Sequence, residues 1–282
     1  MTLAVGVFGP LTWGGLTLAL GLTVVVFAIL LGAARPALRA TVAPSPPRWL
    51  VLGGGISFLV AAAVFSPVIT VVQMPLQAAL NRWMMANLAT ADQAVLLLPA
   101  VLLSGLVQEP VKLLASLVGT APAGLAGKAV VSQGGGAGPA IGFLAIWRAV
   151  ALGAVAGAGF GGIEAALFLS PVFGAAGPLP AAGGGLLVAA AIVERFSAIM
   201  FHVSATGMAA YAWTFGPGRG LVALGALSLI HGLFNYFAFL VRAPGPWAII
   251  IPEAFYASVS AGLLVYLVVL LRREARKGTA NS

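Results

Sequence analysis

The sequence predicts an all-α, polytopic membrane protein of about seven transmembrane helices, forming a single domain over 1-282. Three observations carry this. The chain is 61% hydrophobic and only 7% charged, against a charged share of about 25% in soluble domains. Apolar runs of 18 or more residues recur along nearly its whole length. Each is long enough to cross a hydrocarbon core of roughly 30 Å as a helix, the form that satisfies every backbone polar group within the segment.

The first expected span covers roughly 11-34. Met1 to Pro10 before it holds no Lys or Arg, whereas a cleaved secretory signal opens on a basic region, so this run reads as a true span. The stiff linker Pro44, Ser45, Pro46, Pro47 separates it from a second span at 49-73. Segment 74-92, with Arg82, Trp83 and Asn87, reads as an interfacial helix on the outer face.

Span three, 93-118, carries Gln108-Glu109-Pro110-Val111-Lys112. Span four, 141-169, follows a flexible glycine-rich loop from Gln133 to Pro139 and contains Gly153, Gly157, Gly159, Gly161 and Gly162. Small residues let helices approach closely in lipid, which suits the bundle centre, although ordinary membrane packing also accounts for them. Spans five to seven fall at 185-213, 220-241 and 247-271. The core carrying the polar motifs runs over 90-240.

The net charge of +8 sits mostly in loops and the C-terminal tail, which suits anionic lipid headgroups rather than nucleic acid. Arg35, Arg39, Arg48, Lys128, Arg272, Arg273, Arg276 and Lys277 all fall on one side of a seven-span arrangement, with Arg82 and Arg242 as exceptions. By the positive-inside rule that side is cytoplasmic, so the N-terminus is expected outside and the C-terminus inside a cell membrane. The absence of cysteine excludes disulfides, iron–sulfur clusters and thiolate zinc sites. His and carboxylate remain as metal ligands.

Of six acids in the chain, Glu109, Glu164 and Glu194 lie well inside expected spans, as do both histidines, His202 and His231. A carboxylate at the bilayer centre costs from about 2.5 kcal/mol upward, so three in one chain need a common explanation. Glu109 and Lys112, three apart, are neighbours on a helix surface and can pair. Pro110 between them removes a backbone hydrogen bond, and a kink there would admit water beside the carboxylate.

Glu164 lies sixteen positions from Arg148, the only base of its span, or roughly 24 Å along the axis. It must be protonated, or meet a base or metal from another span across the adjacent glycines. Glu194 and Arg195 are consecutive and are expected to face apart, leaving Arg195, on the face of His202, for Glu164 or Glu109. Cross-span pairs that lock the bundle are the plainer alternative. His231 and Asn235, four apart, share a face and can grip one small group together. None of the standard protease or nucleotide-binding motifs is present.

Taken in order, Gln108-Glu109-Pro110-Val111-Lys112, Gly159-Phe160-Gly161-Gly162-Ile163-Glu164-Ala165, Glu194-Arg195 followed by His202, and His231 through Asn235 resemble the YhfC family of intramembrane peptidases. That family is distantly similar to the PrsW proteases and to the CAAX-processing and bacteriocin-processing membrane proteases. The resemblance implies hydrolysis of a peptide bond in a membrane-associated peptide or protein. Glu109 or Glu164 would activate water, His202 would assist, and His231 with Asn235 would clamp the oxyanion, with Lys112, Glu194 and Arg195 in support. No cofactor is favoured; in the zinc version of the family's chemistry, His202, His231 and Glu164 would hold the metal. Family members often carry two consecutive acids where this chain has Gln108-Glu109, and a histidine where it has Phe160. Both departures weaken the zinc version more than the glutamate version, and they keep a pseudoenzyme open. Buried acids and histidines also build proton relays, so a proton-coupled transporter is the alternative, with a catalytically inactive scaffold as a third class.

Overall fold

The computed structural model of the chain describes residues 11-39, 48-88, 93-120, 139-174, 184-240 and 247-280. The expectations for Met1 to Pro10, the Pro44 to Pro47 linker, Lys128, residues 133-138 and Arg242 lie outside the described residues. Among those described there is no strand. The elements are α1 (Trp13–Arg39), α2 (Arg48–Pro67), a π-helical segment (Val68–Gln73), α3 (Met74–Asn87), α4 (Gln93–Val118), α5 (Pro139–Gly174), α6 (Gly184–Trp213), α7 (Pro217–Leu240) and α8 (Trp247–Ala280).

Seven stretches are long and apolar enough to cross a membrane, Trp13–Ala33, Val51–Asn87, Leu98–Val118, Ala145–Pro171, Val188–Trp213, Pro217–Phe237 and Ile250–Lys277. The fold is therefore the seven-span helical bundle that the hydropathy predicts, and the protein is a multi-pass membrane protein. Large apolar side chains such as Val24, Leu59, Val71, Leu114, Val222 and Val265 are exposed on its outside. Hydrocarbon tails are as apolar as these side chains, so such a surface suits lipid.

One expectation needs correction. Segment 74-92 is expected to be a separate interfacial helix; its residues 89-92 lie outside the described residues, and over 74-87 α2, the π-helical segment and α3 form one unbroken helix. Pro75 supplies a local reason: it has no N–H to offer the carbonyl four residues back. The neighbouring Met74 N–H instead bonds Ile69 O, five residues back, which is the wider π turn. The chain thus passes the proline without breaking, and Ile69 and Gln73 are buried. Val51–Asn87 spans 37 residues, about 55 Å at helical rise, so part of it stands beyond a hydrocarbon core of roughly 30 Å.

At the centre stands α5, with 72% of its span buried, against 22% to 56% for the others. Its glycines explain how. Gly153, Gly157 and Gly161, spaced four apart, lie along one face of α5 against α6: a Cβ on Gly153 or Gly157 would meet the Thr206 or His202 carbonyl oxygen, and one on Gly161 would stand 2.8 Å from the His202 ring. At the α4–α7 crossing, Gly105 lies on the Ser228 carbonyl and Gly232 on the Leu102 backbone. Three apolar clusters result, one joining α1, α5, α6 and α8, one joining α4, α6, α7 and α8, and one joining α2, the π segment, α4 and α5. The polar residues of α4, α5, α6 and α7 are set between them.

Candidate functional site

Four helices deliver the polar residues to one place. From α4 come Ser104, Gln108, Glu109 and Lys112, from α5 Glu164, from α6 His202, and from α7 His231 and Asn235. The α5–α6 glycine face places the His202 ring beside Glu164, and the His202 Nε2 to Glu164 Oε2 distance is 2.8 Å. The other nitrogen of His202, Nδ1, is 2.7 Å from Lys112 Nζ. Lys112 Nζ is 2.5 Å from Glu109 Oε1, and the same oxygen is 2.6 Å from His231 Nδ1. A continuous chain of contacts thus runs Glu164, His202, Lys112, Glu109, His231, and all five side chains are largely or wholly out of reach of solvent.

Donor and acceptor roles follow from chemistry. An ammonium only donates, so His202 Nδ1 accepts from Lys112, and a neutral ring then carries its proton on Nε2 and donates it to Glu164. Glu109, as a carboxylate, accepts from both Lys112 and His231 Nδ1. A neutral His231 therefore has its lone pair on Nε2. Aromatic faces close the centre: Lys112 Nζ is 5.6 Å from the Phe160 ring centroid and 5.9 Å from that of Phe201, within the range of cation–π attraction. Phe160 is thus part of the wall around the ammonium.

A cavity of about 450 Å³ opens beside this chain. Glu164, His202, His231 and Asn235 line it, whereas Glu109 and Lys112 do not and stand behind the two histidines. Glu164 keeps 15% of its side chain exposed and Glu109 none. Asn235 Nδ2 donates to Ser104 Oγ at 3.0 Å, which fixes the amide and leaves its second N–H. Pro110 lies inside α4 and is not among the residues that line the cavity.

Glu194 and Arg195 also reach the cavity. Contrary to the expectation that they face apart, Arg195 Nε donates to Glu194 Oε2 at 2.8 Å, and its Nη2 contacts the other carboxylate oxygen. Backbone directions of consecutive residues diverge, but the two side chains are long enough to turn back on each other. Arg195 also lies 4.1 Å from the Phe168 ring centroid. It is therefore not left for Glu164 or Glu109 as a direct partner.

The polar lining residues with no signal as single motifs are Gln73, Gln77, Ser104 and Tyr256. Gln108 Nε2 donates to Gln73 Oε1 at 2.9 Å, and Gln77 Nε2 donates to the Ala100 carbonyl at 2.7 Å. The available signal was spacing, since Gln73 and Gln77, and likewise Ser104 and Gln108, are four apart and share a helical face.

Glu109, His202 and His231 each offer a ligand atom, all within 4.8 Å of one another. Two imidazoles and a carboxylate are a donor set that zinc accepts. The Lys112 ammonium, however, already stands against Glu109 Oε1 and His202 Nδ1, and Glu164 is engaged with His202 Nε2 rather than grouped with these three. A divalent ion would have to share the space with a fixed positive charge, so the residues as arranged do not fit the zinc version. No protein-family model matches the chain, and comparison with curated proteins and with solved structures finds no match either.

Proposed function

We propose that the chain is a glutamate-type intramembrane endopeptidase of a cell membrane, acting on a membrane-associated peptide or protein. The observation that carries this reading is the cavity wall itself, where a carboxylate oriented by an imidazole, a second imidazole oriented by another carboxylate, and a fixed amide face one space. The resemblance to the YhfC family points the same way.

In this reading Glu164 is the base. It takes a proton from water as the water oxygen attacks the peptide carbonyl, and it returns that proton to the departing amine nitrogen, so the cycle closes without a second acid. The remaining N–H of Asn235 donates to the oxyanion in a water-poor cavity, where such a bond is strongest. His231 differs from the role the resemblance implies. With Nδ1–H given to Glu109, a neutral ring offers only a lone pair at Nε2, so it joins the oxyanion clamp only as an imidazolium and otherwise accepts a proton from substrate or water. Glu109, Lys112 and Ser104 are positioning residues.

The continuous contact chain also suits the proton-coupled carrier. Both of its ends, Glu164 and His231, open on the same cavity. A relay that returns to its starting space serves local proton exchange rather than passage across a membrane, which favours the hydrolase. The deciding experiment is cleavage of membrane-tethered peptides by purified protein, wild type beside Glu164→Gln and His231→Ala. Cleavage lost by about 100-fold or more in both, from folded protein, is the expected result. No cleavage in the wild type together with proton-gradient-dependent transport would overturn it in favour of the carrier.

A further inference from the structure

We infer that the Lys112 ammonium is the resident cation of this site, occupying the position that a divalent metal would take among Glu109, His202 and His231. The inference concerns the centre of the bundle and stands whether or not the protein cuts peptides. Its basis is a coincidence of three observations. The trio offers three ligand atoms within 4.8 Å of one another. The Lys112 side chain is wholly buried and ends 2.5 Å from one of these residues and 2.7 Å from another. The surroundings are those of a bound cation: a carboxylate at Oε1, an imidazole lone pair at Nδ1, and the Phe160 and Phe201 rings at 5.6 and 5.9 Å.

An ammonium and a small divalent ion ask for much the same thing from a protein, lone pairs converging on one point with negative charge nearby. They differ in that the ammonium is tethered and cannot be exchanged. Glu109 Oε2, buried and without a hydrogen-bond partner, is a further lone-pair site that the ammonium leaves unused. Removing the ammonium while keeping the length of its side chain leaves Glu109 and His202 without their cation, and a metal that displaces the His231 Nδ1 proton now held by Glu109 gains a third lone pair. The trio then becomes a two-histidine, one-carboxylate site of the kind that takes zinc or cobalt. The single residue Lys112 therefore decides between a metal-free and a metal-holding centre.

The test is metal binding by wild type, His231→Ala, Lys112→Met and Lys112→Met/His231→Ala, purified in detergent, loaded with zinc or cobalt(II) and desalted. Expected are no retained metal in the wild type, about one equivalent in Lys112→Met with the visible bands of tetrahedral cobalt, and affinity weaker by at least about 10-fold in the double variant, which lacks a direct ligand. Retention of one equivalent by wild type, abolished by His231→Ala, would overturn the inference, as would a folded Lys112→Met that takes up no metal. Should Lys112→Met fold poorly, Lys112→Ala supplied with methylammonium provides the second arm. Recovery of its melting temperature by the small ammonium or by zinc supports a cation site, and recovery by neither, from protein that still unfolds cooperatively, counts against it.

Discussion

Glu164 and Glu109 carry the same functional group in the same bundle, yet their surroundings give them different work. Glu164 faces the cavity and receives a hydrogen bond from His202 Nε2, so Gln in its place still accepts that bond while losing the base. Glu164→Gln is therefore expected to lower cleavage by at least about 100-fold and to leave the melting temperature close to wild type. Glu109 is sealed between Lys112 and His231. Glu109→Gln leaves a buried ammonium uncompensated, for which a loss of about 3 to 5 kcal/mol is expected, read by denaturant titration in detergent. Adding Lys112→Met to Glu109→Gln removes the stranded charge and is expected to restore part of that loss. The sequence made both acids conspicuous, and the lack of any base near Glu164 in its own helix correctly sent its partner to another span. Which of the two faces the cavity was not legible, because spacing fixes neighbours on one helix but not the rotation of that helix against the others.

The same division holds for whole helices. Their length and apolar character were plain, since crossing hydrocarbon demands both, and the glycine run of α5 correctly marked the bundle centre. The continuity of α2 into α3 was not, because Pro67, Pro75 and Arg82 together resemble the end of a span, and a π turn has no composition of its own. Gln73, carried by that turn, was overlooked for the same reason. The α5–α6 glycines permit a graded test. An added methyl at Gly157 would strike the His202 backbone, whereas at Gly161 it would meet the His202 ring, and at Gly185 it would meet nothing within 4 Å. Gly157→Ala is expected to destabilise the bundle by about 1 to 3 kcal/mol. Gly161→Ala is expected to keep more of the stability but displace the imidazole that holds Glu164, with cleavage falling by on the order of 100-fold for a shift near 1 Å. Gly185→Ala should lie within about 0.5 kcal/mol of wild type. Equal stability losses at 157 and 185 would show that α5 and α6 do not meet on this face.

For the whole molecule, the distribution of positive charge sets how the bundle should sit in its membrane. Seven stretches among the described residues are long and apolar enough to cross, and the basic residues Arg272, Arg273, Arg276 and Lys277 cluster at the C-terminal end of the last of them, Ile250–Lys277. Within that cluster Lys277 pairs with Glu274 at 2.6 Å and Arg272 donates to the Ala33 carbonyl at 2.7 Å, both on exposed or half-exposed side chains. Such surface contacts contribute little stability, typically below about 1 kcal/mol. By the positive-inside rule such a cluster leads to the expectation that this end of the bundle lies on the cytoplasmic side. With no native cysteine, single introduced thiols report cleanly on sidedness. Leu88, exposed at the end of α3, follows the second stretch, and Lys277, half-exposed, is the last residue of the seventh. In right-side-out vesicles, a membrane-impermeant maleimide is expected to label Leu88→Cys directly and to label Lys277→Cys only after the membrane is opened with detergent. The reverse pattern would invert the whole bundle, and with it the side from which a substrate segment reaches Glu164. Labelling of both without detergent would mean that an even number of segments crosses between them, and one of the helices read as a span would have to lie outside the bilayer.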